Sequence, residues 1–206
     1  MLSRKTTKQL NPRSTPKQAR SRERVDYILD TTEQLVMQHG YEVVTAQMIS
    51  EATNISPGVL YHYFPGKHGI FAAVVHRAFV RLEILMREIG EGSAEEITYP
   101  EYVDRVVEGL AKHFQRNRSA MLLWQALEHT PQMEPVTSEL TSVAIERNQR
   151  TIRTYAPTLD DSTAYTRAIT METVSFALLR ETLFLKPKQK RAILAELKRL
   201  LIALLE

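Results

Sequence analysis

Apolar residues recur three and four positions apart through most of this chain. The runs that carry them are cut by prolines, glycines and capping residues. This constrains the fold more than any other feature, because residues three and four apart share a helix face, whereas a half-buried strand alternates strictly. Val25, Ile28, Leu29, Leu35 and Val36 predict a first helix from about Pro16 to His39, with Gly40 as its stop. A short helix from about Thr45 to Thr53 follows, capped by Thr45. Asn54 then turns the chain, since Asn tolerates the left-handed conformation. Ser56-Pro57 opens another short helix, a capping hydroxyl followed by a proline whose missing N–H costs nothing there. That helix ends near Tyr63, and Pro65-Gly66 breaks the chain before a long helix from Lys67 to Ile89.

Thr98-Tyr99-Pro100-Glu101 has the pattern of a capping box and predicts a helix to about Arg116. Ser119 starts the next, ended by Thr130-Pro131. Helices over Pro135–Tyr155, from the caps Asp160 to Ser162 to about Leu185, and from Pro187 onward complete the chain. No alternating run with turn dipeptides argues for a sheet. The expected fold class is all-α with about nine helices.

The 206 residues are 43% hydrophobic and 25% charged, ordinary values for a globular protein with a real core. With no cysteine, disulfides, thiolate zinc sites, iron–sulfur clusters and cysteine nucleophiles are excluded. The six histidines (39, 62, 68, 76, 113 and 129) form no i, i+4 ligand pair, so neither a metal nor another cofactor is expected. Gly58…Gly66-Lys67-His68 has the wrong glycine spacing for a P-loop. The chain also lacks a His-Glu-x-x-His helix and a Gly-x-Ser-x-Gly elbow. An enzyme is not expected. No apolar run approaches the roughly 20 residues of a membrane span, and the basic N-terminus has no hydrophobic stretch behind it. The expectation is a soluble, cytoplasmic protein with no membrane partner.

The net charge of +3 is unevenly placed. Residues 1–24 hold eight bases against one acid, +7, which leaves −4 on the rest. Residues 1–15 read as a flexible basic arm. Such an arm suits a polyanionic partner, and charge alone also allows a solvated tail.

The segment Thr45–Tyr63 reads as two short helices joined by a tight turn. Ile49, Ala52, Ile55 and Leu60 are expected to form their shared core. This is the geometry of a helix-turn-helix, whose second helix enters the major groove. The residues go further. The run Gly40-Tyr41…Thr45…Ile49-Ser50-Glu51-Ala52-Thr53-Asn54-Ile55-Ser56-Pro57-Gly58-Val59-Leu60-Tyr61-His62-Tyr63-Phe64-Pro65-Gly66-Lys67 resembles the N-terminal domain of the tetracycline-repressor (TetR) family. The match covers Arg24 to Phe71, in register. Ser50 stands where Ala is usual, Thr53-Asn54 replaces Ala-Gly at the turn, and Val59 replaces a frequent Thr.

The resemblance implies a DNA-binding transcriptional regulator, most simply a repressor on a pseudo-palindromic operator. It makes Ser56, Pro57 and Gly58 the start of the recognition helix, where a missing side chain lets backbone approach DNA. Tyr61 matches the family tyrosine that donates to a phosphate, and Tyr63 the usual His/Tyr position, with a buried core tyrosine as the alternative for either. Lys67 at the start of the fourth helix suits a phosphate, and Thr45 can cap its helix and touch the DNA backbone. Gln47, Val59 and His62 are candidates for base edges or flanking contacts.

The last helix carries Ile193, Leu194, Leu197, Leu200, Leu201, Leu204 and Leu205 as one stripe, and the helix before it is apolar on more than one face. Such a helix needs cover on two sides. The stripe fits an ordinary core as well. The resemblance implies a homodimer through the last two helices. It also implies a ligand pocket within the bundle, for which Tyr102, His113, Phe114, Met121, Trp124, Gln125, Glu128, Met171, Glu172, Phe176 and Arg180 are candidates. Aromatic and Met walls suit a small apolar or aromatic effector. Its binding would separate the two recognition helices, with the fourth helix as the lever.

The expected organisation is an arm over 1–15, a three-helix DNA-binding domain over 16–66, and a helical effector-binding and dimerisation domain over 67–206. A helical adaptor that binds protein without specific DNA affinity is the alternative from another class, and an activator the alternative within the family.

Overall fold

The computed structural model of the chain describes residues 19–90, 97–128 and 130–205. Among them are nine helices and no strand. They are α1 (Ala19–His39), α2 (Ala46–Thr53), α3 (Pro57–Tyr63), α4 (Gly66–Gly90), α5 (Tyr99–Arg116), α6 (Arg118–Leu127), α7 (Glu134–Tyr155), α8 (Asp161–Glu181) and α9 (Pro187–Ala203). The basic arm over 1–15, the expected start at Pro16 and His129 lie outside the described residues.

Local chemistry accounts for four of the helix ends. The Thr45 hydroxyl accepts from the Met48 amide and caps α2. At the head of α5 the Glu101 carboxylate accepts the Thr98 amide at 2.8 Å, while the Thr98 hydroxyl accepts the Glu101 amide. Asp160 caps α8 through the Thr163 amide. Gly40 closes α1 at φ +81°, a conformation that would strain a side-chain-bearing residue.

Several ends differ from the sequence expectation. Ser56 stands at the cap position of α3 with extended backbone, but its hydroxyl makes no capping bond. Pro57 alone marks that start. α6 begins at Arg118, one residue before Ser119. α8 ends at Glu181 rather than near Leu185. There the Thr182 hydroxyl donates to Leu179 O at 2.6 Å and draws the chain into turns ahead of Pro187.

By packing, the described chain forms two units. One comprises residues 19–79 with 119–139, the other residues 80–118 with 140–205. The expected division by role, at 16–66 and 67–206, is drawn on a different criterion.

In the first unit α1 packs on α2 and α2 on α3. Ile28, Ile49, Leu60, Phe64, Ile70 and Phe71 are wholly removed from water. Arg77 on α4 pairs with Asp30 at 2.8 Å and Glu33 at 2.5 Å on α1, and Glu33 also accepts the Ser119 hydroxyl at 2.6 Å.

In the second unit α5 packs against both α8 and α9. Val103, Val107, Phe114, Ile152, Ala168 and Leu197 lie in its core. Lys198 on α9 bridges Asp104 and Glu108 on α5, at 2.7 and 2.8 Å.

Candidate functional site

The α2–α3 pair is held by its turn. Asn54 adopts φ 53°, ψ 34°, and its amide donates to Glu51 O. The Ile55 amide returns to Ser50 O at 3.1 Å, and the Ser50 hydroxyl donates to Ile55 O at 2.6 Å. Ser50 and Asn54, two of the departures from the family pattern, thus close the turn together.

The expected core of the pair needs one correction. Ile49 and Leu60 are buried and Ile55 is half-buried, but Ala52 is exposed and Thr53 takes the inward place. The Thr53 hydroxyl donates to Ile49 O at 2.7 Å, so its polar atom is satisfied inside.

Burying Leu60, Tyr63 and Phe64 turns the opposite side of α3 outward. Ser56, Pro57, Gly58, Val59, Tyr61 and His62 are all exposed. A Cβ placed at Gly58 would meet nothing within 4 Å, so the packing does not demand a glycine there. Thr45 and Gln47 on α2 are also exposed. Gln47 already donates to Glu51 at 2.8 Å, which holds its amide along α2.

Tyr63 is the exception among the expected DNA contacts. Its ring is buried, and its hydroxyl shares a 3.1 Å hydrogen bond with Ser21 on α1. It is a core tyrosine that ties α3 to α1 and supports His62, whose ring meets it edge-on at 5.4 Å. That bond also sets the first turns of α1 beside the end of α3, with Arg20, Arg22 and Arg24 exposed. The charge count over residues 1–24 contained these bases, but their place beside α3 needed the fold. Lys67 is half-buried, with its ammonium 3.4 Å from Glu42 O and 5.7 Å from the Phe71 ring centre.

The expected pocket residues divide. Tyr102, Met171 and Glu172 line one cavity of the second unit, about 30 Å³ and so close to the size of one water. Tyr99, Arg147, Asn148 and Ser175 share its lining and were not foreseen. Asn148 donates to Glu172 at 3.2 Å, Arg147 lies 3.8 Å from the same carboxylate, and Arg147 also pairs with Glu83. Burial pushes the Glu172 carboxyl above its ordinary range, against the pull of Arg147 and Asn148. The Tyr99, Tyr102 and Tyr155 rings cluster with centres 5.2 to 6.4 Å apart.

The other expected pocket residues lie elsewhere. His113 lines a separate groove. Phe114 meets Phe176 edge-on in the packing of the second unit, and Arg180 pairs with Glu181. Met121, Trp124, Gln125 and Glu128 fall in the first unit and do not line the cavity. Gln125 is exposed, and the Trp124 indole donates to Glu128 at 2.9 Å.

On α8 the buried stripe is Ala164, Ala168, Met171, Ser175 and Leu179. Tyr165 and Ile169 are exposed on another side. Phe184 after α8 and Leu200 on α9 are exposed too. Among the described residues no group of His, Asp and Glu is arranged to hold a metal, and no helix is long and apolar enough to cross a membrane.

Comparison with known proteins gives two family matches. Residues 28–74 match the model of bacterial regulatory proteins of the tetR family, and residues 98–205 the tetracyclin repressor-like C-terminal domain. The HTH-type transcriptional repressor KstR of Mycolicibacterium smegmatis is 36% identical over 62 residues, 30% of this chain and 30% of that protein. The HTH-type transcriptional repressor AcnR of Corynebacterium glutamicum is 32% identical over 63 residues, 31% of this chain and 34% of that one. The aligned region thus spans about a third of these relatives' length.

Two solved structures extend the likeness in fold. Salmonella enterica GusR superposes with a TM-score of 0.72 at 17% identity, covering 89% of this chain and 95% of that one. A TetR-family transcriptional regulator from Syntrophomonas wolfei gives a TM-score of 0.76 at 15% identity over the same shares.

Proposed function

Because the chain belongs to the tetR family of bacterial regulatory proteins, we propose that it is a homodimeric transcriptional repressor that binds a pseudo-palindromic operator and releases it on binding a small effector. The observation that carries this reading is the two-sided character of α3. One side is locked into the core by Leu60, Tyr63 and Phe64, and the other presents Pro57, Gly58, Val59, Tyr61 and His62 to solvent.

In this reading Tyr61 and Lys67 bind phosphates and fix the register. Val59, His62 and Gln47 face base edges, where an apolar Val side chain suits a thymine methyl. Thr45 and the Ser56-Pro57-Gly58 backbone sit against the sugar-phosphate chain. Arg20, Arg22 and Arg24, with the arm over 1–15, supply attraction without sequence information. Residues 16–66 form the DNA-binding domain, and residues 67–206 the effector-binding and dimerisation domain.

The exposed Tyr165, Ile169, Phe184 and Leu200 support a dimer through α8 and α9, since soluble monomers rarely leave large apolar patches uncovered. A two-fold dimer would read half-sites about 34–36 Å apart. The cavity beside Tyr102, Met171 and Glu172 is the effector site in this reading. Its tyrosines and methionines suit an apolar or aromatic molecule, and its near-closed volume means that an effector must open it. Widening a closed cavity is a way for a ligand to shift a two-state equilibrium.

The test is selection from a pool of genomic fragments by the purified protein, followed by footprinting. The reading expects a protected pseudo-palindrome and a dimer by light scattering. Recovery of fragments with no shared sequence would contradict it and favour a helical adaptor with a basic surface.

A further inference from the structure

The second unit carries, apart from the Tyr102 cavity, an open groove of about 340 Å³ between α4 and α5. Three bases line it, Arg81, Lys112 and Arg116, against one carboxylate, Glu88. Elsewhere in this unit Arg147, Arg153, Lys198 and Arg199 are paired with carboxylates. Among the described residues, Arg81, Lys112 and Arg116 have no carboxylate partner within 4.0 Å. Three like charges gathered on one concave surface raise its potential and attract a counter-ion.

One of them is held in place. Arg81 donates to the Asn117 side-chain oxygen at 3.2 Å, and buried Asn117 donates in turn to His113 O at 2.9 Å. A guanidinium carries five N–H donors in a fixed fork, so this bond orients Arg81 and leaves donors for a further acceptor. Ordering it beforehand lowers the entropic cost of binding.

The groove also has an apolar side. Ile84 is 49% exposed. At Gly109 a Cβ would lie 3.0 Å from Ile89 Cδ1 and 3.5 Å from Leu85 Cδ2, so the glycine lets these α4 side chains pack against the α5 backbone on the apolar side of the groove. The volume falls in the range of about 300–1,000 Å³ typical of small-molecule sites.

We propose that this groove binds an organic anion, a carboxylate or phosphate monoester on a short apolar chain. The head group sits among Arg81, Lys112 and Arg116, and the chain lies over Ile84, Leu85 and Gly109. A nucleic-acid backbone would answer the charge but make no use of the apolar side. The site is distinct from the effector cavity, and its occupancy does not depend on DNA binding.

The test is calorimetric titration of the full chain, without DNA, using octanoate, octyl phosphate, 1-octanol and inorganic phosphate. Variants are the double change Lys112→Ala with Arg116→Ala, Ile84→Ser, and Arg150→Ala as an exposed base elsewhere. At least one octyl anion is expected to bind, with 1-octanol tenfold weaker or worse. The double variant should weaken that anion tenfold or more, and Arg150→Ala should not. Ile84→Ser should weaken the octyl anion several-fold and leave inorganic phosphate unchanged. Preference between the two anions identifies the head group. The proposal is overturned if 1-octanol binds as well as the anions, if neither anion binds at millimolar concentration, or if the double variant binds them like the parent. Lost DNA affinity with unchanged anion binding in the double variant would make these bases phosphate-backbone contacts instead.

Discussion

Asn54 at φ 53° and the Ser50 hydroxyl bonded to Ile55 O make the turn between α2 and α3 from single side chains. Ser50→Ala leaves that carbonyl without this partner and should cost about 1 kcal/mol, read from the denaturation midpoint. His76 on α4 is a second informative residue. Burial lowers its pKa below the ordinary 6.5, against the opposing charge of Glu139. The unfolded chain therefore takes up the proton first, so the stabilising contribution is full above about pH 6.5 and is lost as pH falls below it. Denaturant titrations at pH 7.5 and 5.5 should show this loss, and His76→Gln should lack that part of it. Residue-scale features were the most legible from sequence. The Thr45 cap, the Thr98–Glu101 box and the Asn54 turn depend on neighbours within three positions, so the chain alone specifies them. Ala52 and Thr53 mark the limit: both lie on Ile49's side of the helix by spacing, and only the Thr53 bond to Ile49 O shows why the polar residue goes inside.

At the scale of elements, α3 is a seven-residue helix kept by packing rather than by propensity. Leu60→Ala removes a wholly buried side chain and should cost about 2–5 kcal/mol. Val59→Ala, one residue away and exposed, should change stability by no more than about 0.5 kcal/mol. On the proposed function it should still alter operator preference, and paired melting and DNA-binding measurements separate the two effects. The cavity proposed for the effector was only partly legible at this scale. Tyr102, Met171 and Glu172 meet because α5 and α8 pack together. Arg147 and Asn148 come from α7, whose polar sequence gives no sign that it faces a cavity. Trp124 and Glu128 have the chemistry of a pocket wall, yet α6 packs its later residues into the other unit.

For the whole molecule, apolar side chains stand exposed on α8, on the turn after it and on α9. Phe184 is 57% exposed and Leu200 43%. On the proposed function the chain is a dimer in sedimentation, and Phe184→Asp with Leu200→Asp should make it a monomer while preserving the helical circular-dichroism spectrum. Retention of the dimer would place the interface elsewhere. The apolar excess on α8 was visible in its sequence, but which side lies uncovered depends on the burial of Ala168 and Met171 against this chain's own helices.

On the proposed function the exposed side of α3 reads DNA. The most direct test is a fluorescence-anisotropy titration of the full chain on the selected operator, with competitor DNA, at two salt concentrations, beside Tyr61→Phe and Lys67→Ala. Tight, competitor-resistant binding is expected, weakened about tenfold to a hundredfold on loss of the Tyr61 hydroxyl, as for one hydrogen bond to a charged group. Loss of Lys67 should weaken binding and shallow the salt dependence by about one phosphate's worth. Binding that competitor abolishes, or that both variants leave unchanged, would contradict the proposed function.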